Sequence, residues 1–463
     1  MPIARQTPGE VEIEFSIYRG GKRIETDDGK YDLTEYLAGW EVYESISSAT
    51  MEAKFIIEDQ GGLLQSLTGT EEFRLLVKTG QQDRTYYFRS YQIESRVRSG
   101  QSTDFFQVNA CSSEFVKNEV SNIFGSSEKV FDKKVRAEEI IKKLLKDKKY
   151  LNSGKSMFLE DTLNKHTFVA PNWRVLDVIY WICQRSIRKN PKGGTLQNGF
   201  TFFENAMGYN FKSIDKMIED INDNNEGDGD TDLEKGIGKM YQYTYTPKNM
   251  RDATGDDSYL IDTIVFPDEK SYLMGLRHGT WSGYSVGFDP VSILRSRWGV
   301  STDMKSKEYR YGVKKLWRKM AHIGKSNAVN PISGMDPEIR NIVDFPKRVR
   351  YTMLPNQIFD PKYKNNPQKN YQELVELQAY QWMRIETLKN LRMQITIPGN
   401  LDLYCGSGID LKIPSTKLTG SRPQLDTKYS GKWVIAGVQH SGTAQSIKMN
   451  TDLFLCRDSI NKR

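Results

Sequence analysis

Histidine and cysteine are scarce in this chain of 463 residues, four of each. The histidines, His166, His278, His322 and His440, show no pair at metal-ligand spacing, and neither H-E-x-x-H nor G-x-S-x-G occurs. Zinc-protease and serine-hydrolase chemistry therefore has no signal here. Cys111, Cys183, Cys405 and Cys456 are scattered without a C-x-x-C pair, which fits buried, reduced thiols rather than a disulfide framework or a redox motif. No run of about 18 apolar residues exists, and "MPIARQTPGEVEIEF" carries no apolar signal core. The expectation is a soluble protein without a membrane anchor, not exported by a cleaved signal.

The composition that is present suits folding. Hydrophobic residues make up 38% and charged residues 27%, which argues against global disorder. The length calls for several domains. The 24 Tyr and 8 Trp favour β-rich domains and protein contacts. A net charge of +7 permits an acidic partner without demanding one.

Residues 1–115 read as antiparallel β-structure. "VEIEFSIY" alternates Val11, Ile13, Phe15 and Ile17 against polar neighbours, and "YYFRSYQIESRV", "RSGQS" and "DFFQVNACS" form a hairpin. Residues 116–238 change period. "VRAEEIIKKLLKDKKYL" stacks Ile140 over Leu144 and Ile141 over Leu145, an amphipathic helix. "PNWRVLDVIYWICQRSI" reads as a second helix with Pro171 near its start, and Trp173 and Trp181 as core. "FTFFEN" and "GYNFKSI" then make a short hairpin. The acidic stretch near 219–235 fits no EF-hand frame and reads as a solvated linker. Strands resume at 239–301 and 393–463. Between them, 302–392 holds a basic, Pro- and Asn-rich insertion and a long helix over 371–392.

The two β-regions resemble each other. "GKWVIAGVQHSGTAQSIKMNTDLFLCRD" runs strand, polar tip, strand and ends near Cys456, as "TYYFRSYQIESRVRSGQSTDFFQVNACSS" ends near Cys111. A duplication would make the second β-domain a split copy of the first, and three copies would present six similar units around a ring. The fold class expected is multidomain, β-rich α+β: two related antiparallel β-barrels, an α+β accessory domain and an insertion domain. "DLYCGSGIDLKIP" (402–414) has strand on both sides and no helix after it. It reads as a turn, with Gly406 and Gly408 supplying its backbone angles, rather than as a phosphate loop.

Chemistry has few candidates. Cys405 and His440 would form a nucleophile pair only if their strands were neighbours, and a thiol beside a turn is usually inert. No two carboxylates are singled out for glycosidase work. The expectation is therefore no catalytic, cofactor or metal residues. Lys314, Lys315, Arg318 and Lys319, with Tyr309 and Trp317, form a basic patch that suits nucleic acid; an exposed helix or an interface to an acidic protein explains it as well. Phe73, Tyr87, Tyr284 and Trp433 lie on barrel strands as candidate interface residues, equally candidates for core.

The ordered series resembles the central baseplate hub protein of contractile phage tails, of the T-even phage type. It is carried by "FIIEDQGGLLQSLTGTEEFRLLV", "VRAEEIIKKLLK", "FVAPNWRVLDVIYWICQRS", "GFTFFENAMGYNFKSI", "NLDLYCGSGIDLKIP", "SGKWVIAGVQHS" and "TDLFLCRDS". The acidic linker and much of 302–370 depart from it. The resemblance implies two tube-type barrels per chain and a homotrimer. Its pseudo-hexameric ring would adapt a six-fold tail tube to a three-fold central spike. It also implies contacts with the tail tube protein, the central spike protein, baseplate wedge proteins and the tape measure protein, with DNA only in transit. The protein would assemble in the host cytoplasm and reside in the virion. Three other readings remain: a contractile secretion-system spike or hub, a tail-associated lytic enzyme, and a nucleic-acid module using Lys314–Lys319.

Overall fold

The computed structural model describes residues 9–25, 32–80, 82–124, 134–189, 191, 196–224, 235–247, 257–267, 273, 284–288, 316–330, 336–339, 349–353, 365–419, 422–443, 446 and 448–461.

Period-two alternation builds the first sheet. Its strands are β1 (Val11–Arg19), β2 (Leu37–Ser45), β3 (Glu52–Asp59), β4 (Glu72–Thr79), β5 (Asp83–Arg98) and β6 (Asp104–Cys111). They lie in the order β2-β3-β6-β5-β4-β1, all antiparallel. One face collects Phe15, Ile17, Phe55, Phe73, Leu75, Phe88 and Val108, all buried. The Phe55 and Phe73 rings stack there at 5.5 Å.

In the middle of the chain, α1 (Ala137–Lys146) buries Ile140, Ile141, Leu144 and Leu145 along one stripe, the spacing the sequence predicts. The second helix starts later than the sequence suggests. Pro171–Arg174 is a strand paired with Asn122–Phe124, and α2 (Val175–Cys183) begins after it. Asn172 explains the difference: it sits at φ 53 inside a register shift, a left-handed conformation that asparagine tolerates and a helix does not. The aromatic hairpin is β7 (Phe200–Asn205) with β8 (Gly208–Ser213), and the Phe202 and Tyr209 rings stack across it at 5.4 Å. The Ser213 hydroxyl accepts from the Lys216 N–H and starts α3 (Ile214–Asp223). The acidic stretch read as a linker therefore begins inside a helix, and 225–234 lie outside the described residues.

The last sheet contains β9 (Tyr241–Tyr245), β10 (Thr263–Val265), β11 (Leu391–Pro398), β12 (Gly408–Lys412), β13 (Gly431–Gly442) and β14 (Met449–Arg457). The long helix is α4 (Pro367–Leu388). It starts earlier than 371 because the Asn366 side chain caps it and Pro367 fits its first turn. It stops before 392 because β11 takes over at Leu391. β13 pairs β2, so both sheets merge into one of 14 strands. Among the described residues, three large apolar cores pack beneath and beside it. One lies beneath the first sheet, one around α1, α2 and β7–β8, and one beneath the last sheet with α3.

The stretch 402–414 is a turn entering β12, as the sequence reading has it, but Gly408 is not at a left-handed angle: it opens β12, and a Cβ there would lie 2.7 Å from Ile221. Gly406 stands at φ 83, and a Cβ added there would lie 2.5 Å from the Phe203 ring. Gly406→Ala should therefore cost about 2–4 kcal/mol, combining left-handed strain with overpacking. Urea unfolding of both proteins measures it; a loss under about 0.5 kcal/mol would show that the turn is not packed as described.

Candidate functional site at the seam between the sheets

The seam is a six-residue antiparallel ladder, Ser45–Trp40 of β2 against Gly437–Gly442 of β13. Close approach requires its glycine end: a Cβ on Gly442 would sit 2.8 Å from the Trp40 indole nitrogen. β2 turns Trp40 and Val42 inward, and Glu44 follows them on the same buried face.

Glu44 ties three parts of the chain together. One carboxylate oxygen accepts from the Ala206 N–H at the β7–β8 turn, 2.7 Å, and the other from the Cys405 N–H, 3.2 Å. Beside it, the buried Glu204 accepts from Lys155 Nζ at 2.5 Å and from the Met51 N–H at 3.1 Å. The Asn205 amide donates to the Cys405 carbonyl, and Arg84 of β5 donates to the Tyr404 hydroxyl at 2.5 Å. Burial pushes Glu44 up to about 7, with Arg84 and the two N–H donors pulling the other way. Burial likewise raises Glu204, opposed by Lys155.

A second ionic knot fastens α4 and the end of β14. Asp458 accepts from Arg384 Nη1 at 3.0 Å and from the Ile323 N–H at 3.2 Å, and His322 Nδ1 lies 2.8 Å away. Asp215, at the start of α3, accepts from the Tyr380 hydroxyl at 2.7 Å and the Ala321 N–H at 2.8 Å. Arg384 Nε stands 3.6 Å from Asp215, and all three charged groups are fully buried.

Phe73 and Trp433 are buried in the two sheets' cores, and Tyr87 is exposed on β5. Tyr284 lies on the short strand Tyr284–Phe288. Trp173 and Trp181 are half-buried against the middle core, with Arg185 stacked on Trp181. Lys314 and Lys315 lie outside the described residues. Arg318 is exposed, whereas Lys319 is ion-paired to Glu376 of α4. That pairing takes one cation from the basic patch and gives it a bracing role.

Cys405 and His440 are each engaged elsewhere. The buried Cys405 thiol donates to the Glu204 carbonyl, and burial pushes its pKa well up. His440 contacts the Thr451 hydroxyl, and burial lowers it to about 3, leaving it neutral. Among the described residues no cluster of His, Cys, Asp or Glu could hold a metal ion, and no helix is long and apolar enough to cross a membrane. Glu44, Arg384 and Asp458 escape a reading by motif. Their signal is a charge on the apolar face: Glu44 follows Trp40 and Val42 at period two, and Arg384 follows Tyr380 by four residues on the buried stripe of α4.

One long sheet over two cores, braced by an α+β unit and closed by buried ion pairs, is the fold of a solved tail protein. The crystal structure of the tail protein from Neisseria meningitidis MC58 matches 96% of this chain and 97% of its own, with a TM-score of 0.50 at 8% identity. At that identity the likeness concerns the fold alone. The 43 kDa tail protein of prophage MuSo2 from Shewanella oneidensis aligns over 97% of this chain and 100% of its own, at 9% identity and a TM-score of 0.49. An E. coli component of the type VI secretion system, described as structurally similar to bacteriophage tail proteins, aligns over 92% of this chain and 75% of its own, at 9% identity and a TM-score of 0.39. No protein-family model and no curated protein matches the sequence.

Proposed function

We propose that this chain is a structural virion protein, the central hub of a contractile-tail baseplate. Three copies would close into a ring of six barrel units around a channel. The observation that carries this reading is the side-by-side joint: two β-units of one chain share a sheet through β2 and β13. A unit that pairs laterally with a similar neighbour is what a closed ring is made from. The six-fold face of the ring would seat the tail tube protein, and the three-fold arrangement would suit a central spike. Wedge proteins would meet the outside, and tape measure and DNA would pass through the centre. The buried ionic knots would brace the ring rather than catalyse a reaction.

Sedimentation equilibrium with negative-stain imaging tests it. A species of about three chains with an open centre is expected. A compact monomer at every concentration up to the solubility limit would overturn the reading.

A further inference from the structure

β2, β3, β5 and β6 repeat as β10, β11, β13 and β14 in matching register, apart from one extra residue in β5 between Glu94 and Val97. Ser90 pairs Ala110 and Gln92 pairs Asn109, so Tyr91 is bulged out of β5. Ile435 pairs Leu455 and Gly437 pairs Phe454, so Ala436 is bulged out of β13. Superposing the two bulges places Cys111 on Cys456, the partners of Arg89 and Val434. β3 then falls on β11, because Ala53 faces Ala110 as Met393 faces Leu455. β2 falls on β10, because Trp40 faces Phe55 and Ile264 faces Ile395, the equivalent position. The repeat does not extend to β9, which pairs β12 in parallel whereas β1 pairs β4 antiparallel.

Past its bulge, β13 has a strand on each edge, β14 on one and β2 on the other. Past its own bulge β5 has only β6; among the described residues no strand lies along its other edge from Gln92 to Arg98. Among the described residues β10, the counterpart of β2, likewise has a single neighbour, β11. The described residues thus contain the joint once, together with two halves of a second that are open among them. Those halves stand on opposite sides of the seam in the strand order. A bare edge presents unpaired N–H and C=O groups, a ready template for another strand.

We propose that β10 of a second copy pairs antiparallel along the outer edge of β5, repeating between copies the joint that β2 and β13 make within one. This rests on the ring reading above and adds to it the strands and the register. Val97 corresponds to Ser441, which faces Glu41, and Glu41 corresponds to Val265. Val97 therefore comes opposite Val265, and Arg98 opposite Ile264. The side chains agree: Val97 is 61% exposed and Val265 51%, and Phe266 beside it is 50% exposed. An apolar cross-strand pair would cover both valines. A second bulge between Glu94 and Val97, with Ser95 at φ 56, has no counterpart in β13. It bends the edge and so discourages indiscriminate pairing. It leaves Val97 and Arg98 as the stretch of β5 that β10 meets.

The test is the full chain carrying Val97→Cys with Val265→Cys, oxidised mildly and run without reductant. Directly opposed antiparallel positions have Cα atoms about 4.5–5.5 Å apart, within disulfide reach. The four natural cysteines are buried and should not compete. Copies are expected to link into a covalent three-chain species. Either single variant, and Val97→Cys with Thr263→Cys, should leave the chain unlinked. A ring that forms but does not link at this pair overturns the register and leaves the ring reading standing. A chain that stays monomeric and unlinked overturns both. Val97→Asp, at an exposed position where folding should be unaffected, should weaken association at least about tenfold; unchanged native mass would also overturn the pairing.

Discussion

Arg384→Met should lower stability by about 3–5 kcal/mol at pH 7, because it leaves two buried carboxylates without their cation. Arg384 reaches both Asp458 and Asp215, joining α4, α3 and the end of β14. Burial alone would raise the Asp458 pKa, yet Arg384 and His322 outweigh it and hold it at about 2. A carboxyl depressed in this way contributes stability that is present above about pH 4 and lost as pH falls through 2. Without Arg384, Asp458 can take a proton at ordinary acid pH, so the variant's deficit should shrink between pH 7 and pH 4. Adding Asp458→Asn to Arg384→Met should restore part of the loss, since an amide tolerates the site without a counter-ion. Denaturant titrations of the two variants at both pH values measure this. A deficit that is small, or independent of pH, would show that Arg384 contributes packing rather than charge.

Much of the fold is legible in the sequence because strands announce themselves through alternation. Phe15 and Ile17, then Phe73, Leu75 and Val77, give away the inward face of β1 and β4. The helices α1 and α4 show through their composition and period. The hairpins ending at Cys111 and Cys456 are visible as a pair, although only the matched bulges at Tyr91 and Ala436 give the register. Alternation does not say which face a neighbouring copy covers, so Phe73 and Trp433 stand beside Tyr87 as equals in the sequence and part company in the structure. Pro171 misleads because a proline suits a strand start as well as a first helical turn; Asn172 settles it through a left-handed angle that tertiary pairing imposes. The seam itself is long-range. Glu44 and Cys405 are 361 positions apart, and no local pattern encodes that contact.

The seam's own prediction has the opposite pH signature. Glu44→Ala strips the acceptor from the Ala206 and Cys405 N–H groups, and each unsatisfied donor costs about 1–3 kcal/mol. Against that stands the cost of holding a carboxylate in an apolar seam. Burial raises Glu44 from 4.5 to about 7, so its stabilising contribution is fully present below pH 4.5 and fades as pH rises through 7. Over that interval the wild type should lose about 3 kcal/mol that the variant does not. The variant's deficit should therefore be largest near pH 5, about 2–4 kcal/mol, and should narrow or vanish by pH 8. Arg384→Met behaves in reverse, so unfolding both variants at pH 5 and pH 8 gives two lines of opposite slope. Parallel lines would mean that Glu44 is held ionised, with the three-way junction organised around a buried anion rather than a neutral acid. A loosened seam should also misplace β2 against β13, the contact from which the ring reading starts. At pH 5 Glu44→Ala should therefore lose the three-chain species at temperatures where the wild type retains it.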